Sequence, residues 1–185
     1  QIDVFLINFL LFCKLLEKNN IRLRAVEHED VDFILRMENN TSLWGISDTY
    51  NPFSRLDIEQ YVMLANKDIY SAKQVRFIME RIDNNKSVGL LDIFDFDAHN
   101  KRAGIGVVVL ESERNKGIAG TALDIVVDYS FNHLNLHQLF CNIGSKNIVS
   151  LRLFEGKGFL KVGVKKDWTF KNNKYDDEIL LQLIN

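Results

Sequence analysis

The 185-residue sequence predicts a mixed α/β (α+β) fold, with one central sheet of about seven strands and helices on both faces. Three observations lead there. Early apolar segments alternate with period two. Later segments switch between strand-like and helix-like patterns. The run from Gly104 to Leu110 is nearly continuously apolar, as in a strand buried on both faces. The predicted order is β-α-α-β-β-β-α-β-α-β-β.

Ile21, Leu23 and Ala25 alternate with Arg22 and Arg24, which predicts the first strand. Val31, Phe33, Ile34 and Met37 then recur at helical spacing. The acids from Glu27 to Asp30 precede them, where negative charge suits a helix start. Asn39 to Pro52 predicts an irregular loop. Ser54 with Asp57 resembles a capping box and opens a helix to about Asn66.

Val75, Phe77 and Met79 alternate with Arg76, Ile78 and Glu80. Asp83-Asn84-Asn85 is turn chemistry, and Val88 to Phe96 is the next strand. Asp97 to Lys101 turns the chain into the apolar run at Gly104. Ile118, Ala122, Ile125, Val126 and Tyr129 stripe a long helix. Leu139 to Ile143 is a short buried strand, and Asn147 to Gly156 a short helix. Phe159 to Phe170 and Glu178 to Ile184 are two strands joined at Asn172-Asn173.

The single proline, Pro52, and the absence of any linker or repeat predict one domain over 21–185. Residues 1–20 form an apolar N-terminal extension. Its core, Val4 to Cys13, falls short of the roughly 20 residues a bilayer span needs. It lacks a basic leader and a small-residue cleavage site, which disfavours a secretory signal and membrane attachment. A short helix covering an apolar patch, or a homodimer contact, is the expectation.

Lys plus Arg is 23 and Asp plus Glu is 25, a formal balance of −2 that excludes a general nucleic-acid binder. Cys13 and Cys141 have no CxxC or metal-ligand spacing and read as reduced, buried thiols of a cytoplasmic protein. The histidines are His28, His99, His133 and His137. His133 and His137 are four apart, but no acid lies between them, so no metal is expected.

The transition from Leu110 to Gly120 carries the chemistry. An apolar strand runs into a polar turn, then Gly117 and a slim helix start of Ile118, Ala119 and Gly120. Unpaired amides and a partial positive charge at a helix start suit a diphosphate. Gly117 permits close backbone approach, and Arg114 and Lys116 add positive charge. A plain strand-to-helix turn with a solvated basic patch would look similar. A nucleotide P-loop is disfavoured, because GxxxxGK[S/T] is absent.

Arg114-Asn115-Lys116-Gly117-Ile118-Ala119 resembles the acetyl-CoA signature of the GNAT superfamily, Gln/Arg-x-x-Gly-x-Gly/Ala. Asn147 to Phe159 resembles its second block, which runs Asn-x-x-Ser/Ala-x-x-Leu/Ile-Tyr/Phe-Glu-x-x-Gly-Phe. The tail from Asn172 to Glu178 is similar to the closing hairpin of the branch holding ribosomal-protein-alanine and spermidine acetyltransferases. The resemblance implies a GNAT fold and acetyl-CoA as cosubstrate, with no metal. It implies direct attack by a small-molecule amine or a peptide N-terminus.

The resemblance also implies residue roles. Val107, Val108 and Val109 would hold the pantetheine arm, with an oxyanion donor near Val109. The backbone of Arg114, Asn115, Lys116, Gly117, Ile118, Ala119 and Gly120 would hold the pyrophosphate. Asn147, Ser150 and Phe154 would face the cofactor, Asn147 also serving as an ordinary helix cap. Many relatives carry a proton-donating tyrosine where this chain has Phe154. Ser150 is therefore the first candidate acid, ahead of Tyr175. Asp92, which alternation places on the opposite face from Asp95, matches an acidic position and is expected as base or amine-binding group. Trp44 and Tyr50 would line the acceptor mouth. A noncatalytic acyl-CoA-binding or sensory module, and a structural interaction module, are the alternatives.

Overall fold

In a computed structural model, residues 15–47, 49–65, 67–171 and 173–185 are described. The extension's apolar core, Val4 to Cys13, lies outside them, as do Asn66 and Asn172.

One sheet organises the chain. In order, its strands are β1 (Glu17–Lys18), β2 (Ile21–Ala25), β3 (Val75–Arg81), β4 (Ser87–Asp97), β5 (Arg102–Val109), β6 (Gln138–Gly144), β7 (Leu160–Lys171) and β8 (Lys174–Ile184). Across the sheet they run β1-β2-β3-β4-β5-β6-β8-β7. Every pairing is antiparallel except β5 with β6. The strand beyond the expected seven is β1. It pairs Glu17 with Arg22 and Lys18 with Ile21, so the sheet begins inside the segment taken as an extension.

Between β2 and β3 come α1 (Val31–Glu38), α2 (Thr41–Ser47), α3 (Arg55–Leu64) and α4 (Ile69–Ala72). The Ser54–Asp57 capping box is present as expected, with Asp57 N–H donating to Ser54 Oγ (3.1 Å). Asn39 to Pro52 is not wholly irregular. Asn40 Oδ1 accepts from Ser42 N (3.1 Å), and α2 follows. After β5 come α5 (Ile118–Asp128), a π turn at Tyr129–His133, and α6 (Ile148–Glu155), which lies between β6 and β7.

Alternation divides the core into two. On one face Met79, Leu91, Ile93, Ile105, Leu139 and Leu181 pack with α5. On the other, Ile78 and Leu90 pack with α1, α2 and α3 through Ile34, Leu43 and Ile58. Burial of both faces is what makes the central strands read as near-continuous apolar runs.

Candidate active site

The site opens where β5 leaves β6. The two pair only at Arg102–Gln138, Ala103–Leu139 and Gly104–Phe140. Beyond that, β6 stays with β8 as far as Gly144–Glu178, while β5 stays with β4 as far as Val109–Gly89. A wedge opens between them. The expected burial of the Gly104–Leu110 run therefore holds through Ile105 and fails from Gly106 to Val109, which are half-buried.

Backbone polar groups point alternately to the two sides of a strand. Leu110 N–H donates to Val88 O on the β4 side (2.9 Å). The N–H and C=O groups of Val107 and Val109 therefore turn toward the wedge. There the Val109 carbonyl accepts a long 3.4 Å bond from Arg114 Nε.

The loop leaving β5 makes a 3-10 turn at Glu111–Glu113. Asn115 and Gly117 then take φ of 61° and 75°, in the left-handed region. That conformation favours glycine. A Cβ at Gly117 would meet nothing within 4 Å, so the space above the loop is open. No side chain caps α5. The amides of Asn115, Lys116 and Gly117 have no partner among the described residues. Those of the first helical turn, Ile118 to Gly120, precede the first i→i−4 bond, Thr121 N–H to Gly117 O (3.0 Å). Together with the helix dipole they form a cradle for an anion such as a diphosphate.

One loop charge differs from expectation. Lys116 Nζ donates to Glu113 (3.0 Å), as does Lys86 (2.7 Å). These hydrogen bonds, Lys86 first, hold the Glu113 carboxyl down at about 2. Lys116 is thus neutralised within the protein, and Arg114 is the loop cation left outside an ion pair among the described residues.

In the second block, Asn147 caps α6, its Oδ1 accepting from Ser150 N–H (3.2 Å). Ser150 is half-buried, and its hydroxyl has no partner among the described residues. Leu153 of α6 and Lys157 just beyond it stand nearest to Gly120, so the end of this helix abuts the start of α5. Phe154 departs from the expected cofactor contact. It is 3 % exposed and packs edge-on against Phe159 at 5.1 Å, turned into the core. The apolar ring follows the buried stripe of α6, with Leu151 on the same side.

A second polar group lies on the α1–α3 face. Asp92 Oδ1 and Oδ2 accept from Arg76 Nε and Nη2 at 2.7 and 2.9 Å. Arg76 also pairs with Glu38 at the end of α1. Its guanidinium lies 5.4 Å from the ring centroid of Tyr61 on α3. Burial opposes the Arg76 charge, yet Asp92, Tyr61 and Glu38 together hold its pKa above the ordinary value. Burial raises the pKa of Tyr61, which stays a neutral phenol. A cavity of ≈ 150 Å³ is lined by Tyr61, Arg76, Asp92 and Phe94 among others. Asp92 is paired across the sheet with Gly106, so the cavity adjoins the wedge. Two carboxylates, Asp92 and Glu38, face one guanidinium, a net negative cluster of which Asp92 and Arg76 line the cavity.

Trp44 lies near this group: its indole N–H donates to Glu38 O (2.7 Å). Tyr50 is 81 % exposed and lines no part of that cavity, contrary to expectation. Glu38, Tyr61 and Arg76 were missed in the sequence. The Arg76–Asp92 register of β3 and β4 held a signal for Arg76. Nothing in the local pattern marked Glu38 or Tyr61. Asp95 is exposed at a register shift with φ 48°, so strand alternation does not govern it. Burial pushes the Cys141 thiol up to about 12. Among the described residues no three His, Cys, Asp or Glu side chains gather, and no helix is long and apolar enough to cross a membrane.

The wedge can thus take an extended arm along Val107 to Val109, with its anion on the loop amides and its far end beside Asp92. Thioester transfer to an amine is the chemistry such a geometry serves. An acyl-CoA-dependent N-acyltransferase is the class it defines.

Residues 20–160 match the family model described as an acetyltransferase (GNAT) domain. The chain belongs to the GNAT acetyltransferase family, and it transfers an acetyl group from acetyl-CoA to an amine. It is 28 % identical over 161 residues to a spermidine N(1)-acetyltransferase of Vibrio cholerae serotype O1, covering 86 % of this chain and 90 % of the relative. A crystal structure of spermidine N-acetyltransferase from Vibrio cholerae with CoA and spermine is similar at a TM-score of 0.81 and 26 % identity. That match covers 90 % of this chain and 96 % of the other. A dodecameric structure of the Vibrio cholerae enzyme matches at a TM-score of 0.74 and 26 % identity, covering 90 % and 95 %.

Proposed function

We propose that this chain acetylates a small polyamine-like amine, with residues 17–185 acting as its single catalytic domain. The net negative cluster of Glu38, Asp92 and Arg76, beside the cavity and set against the open edge of β5, carries this reading. The relatives named as spermidine acetyltransferases support it.

In this reading Val107, Val108 and Val109 hold the pantetheine arm. The amides from Arg114 to Gly120 hold the pyrophosphate, with the Arg114 side chain beside it. Asn147 and Ser150 flank the arm. Asp92 and Glu38 attract the ammonium group, and Trp44 fixes the end of α1 that carries Glu38. An amine must lose its proton before it attacks. With both Asp92 oxygens held by Arg76, water in the pocket takes that proton. The amine nitrogen then bonds to the thioester carbon, and the oxyanion is met by an amide on the wedge edge. The C–S bond breaks, Ser150 supplies the thiolate's proton, and the proton lost by the acylated nitrogen restores the Ser150 hydroxyl through water.

The exposed apolar side chains Leu160, Val162, Trp168 and Phe170 lie on the outer strand β7. We propose that a second copy of the chain covers them. The dodecameric relative supports self-association. Light scattering should give a mass above one chain.

The test is turnover of acetyl-CoA with spermidine, simple monoamines and peptide N-termini. Polyamines should be the best substrates. Preference for peptide N-termini would replace the acceptor assignment. CoA binding without turnover on any amine would make the chain a sensory module.

A further inference from the structure

The wedge is closed at one end. The last β5–β6 pair is Gly104–Phe140, so an arm entering from the loop past Val109 must stop there. The distance from Val109 to Gly104 is about 17 Å at roughly 3.3 Å per residue. The acyl end of the donor therefore comes to rest near Gly104 and Gly106.

That floor is covered by one ring. Phe94 follows Asp92 on the same face of β4 and opposes Gly104 across the sheet. A Cβ on Gly104 would lie 2.3 Å from the Phe94 ring, and one on Gly106 would lie 3.8 Å from it. The missing side chain at Gly104 lets the ring lie down over β5, and Gly106 lies within contact distance of its edge. Phe140 of β6 meets it edge-on at 5.9 Å and closes the far side. Phe94 also lines the acceptor cavity with Asp92.

We infer that Phe94, seated over Gly104 and Gly106 and backed by Phe140, sets the length of acyl group the enzyme accepts. An acetyl methyl fits beside the ring. Each further methylene runs into an aromatic wall with no give, since Phe140 blocks its retreat. Rejection of an extra methylene by such a pocket amounts to about 10-fold or more. Phe94 acts on the donor, separately from the charged groups that select the amine.

The inference rests on the acyl-CoA site proposed above, so wild-type affinity for acetyl-CoA is measured first, by calorimetry without amine. The ratio of kcat/KM for butyryl-CoA to that for acetyl-CoA is then compared in wild type and Phe94→Ala at one fixed amine. The ratio should rise at least 10-fold in the variant. A general packing defect would lower both donors together and leave the ratio alone. Phe94→Leu, which keeps apolar bulk, should give an intermediate ratio and serves if the alanine variant fails to fold. A ratio within about 3-fold of wild type in a folded variant overturns the role of Phe94. Failure of wild type to bind acetyl-CoA would remove the donor site itself.

Discussion

Arg76 holds both carboxylate oxygens of Asp92, at 2.7 and 2.9 Å, across neighbouring strands of the sheet. A fork-to-fork pair of this kind fixes direction as well as charge. It fixes the position of the Asp92 carboxylate beside the wedge. Asp92→Asn should lower kcat/KM for a polyamine by about 10- to 100-fold, the worth of a charge-assisted hydrogen bond. Affinity for CoA should stay unchanged. Steady-state kinetics with parallel CoA titration separates the two effects.

Gly117 bears on the donor. Its φ of 75° makes any side chain strained, although nothing stands within 4 Å of a Cβ there. Gly117→Ala should therefore lower stability by about 1–2 kcal/mol through backbone strain. Gly117→Glu places bulk and negative charge at the proposed diphosphate site. It should abolish measurable CoA binding while circular dichroism shows the fold intact. Unchanged affinity would sink the loop assignment.

Asn147 and Ser150 are three residues apart and have separable roles. Asn147→Ala removes the cap on Ser150 N–H and should lower stability by about 1 kcal/mol, read by thermal melting. Ser150→Ala keeps the cap, because the capped group is its backbone. If its hydroxyl protonates the departing thiolate, kcat should fall at least about 100-fold. Turnover near the wild-type rate would exclude Ser150 as the essential acid.

Glu113 gives a pH signature. Lys86 and Lys116 depress its folded pKa to about 2 from an ordinary 4.5. The stabilisation is fully present above the unfolded value and is lost as pH falls from about 4.5 toward 2. Replacing Glu113 with Gln should flatten that part of the stability curve. Denaturant melts at pH 6 and pH 3 would show it, the wild type weakening more between them.

The fold was largely legible because strands buried on both faces leave long apolar runs, and the Ser54–Asp57 box marks a helix start chemically. The α2 helix was not legible: Thr41 to Ser47 is short, and its start depends on Asn40 bonding Ser42 locally. Gly106 to Val109 read as fully buried because apolar composition cannot show that the neighbouring strand departs. For the site, the backbone loop was legible from Gly117 and the small residues after it. The partners of Asp92 were not. Glu38 and Tyr61 converge from two helices on Arg76, which holds Asp92, a convergence set by packing of α1 and α3 on the sheet. The neutralisation of Lys116 was also overlooked, although its partner Glu113 lies only three residues before it.

In the proposed mechanism the open edge of β5 carries the donor to Asp92. A crystal structure with acetyl-CoA should show the pyrophosphate on the amides of Asn115 to Gly120, the arm hydrogen-bonded to Val107 and Val109, and the thioester over Gly106 beside Asp92 and Phe94. A closed wedge, or acetyl-CoA bound away from β5, would contradict it.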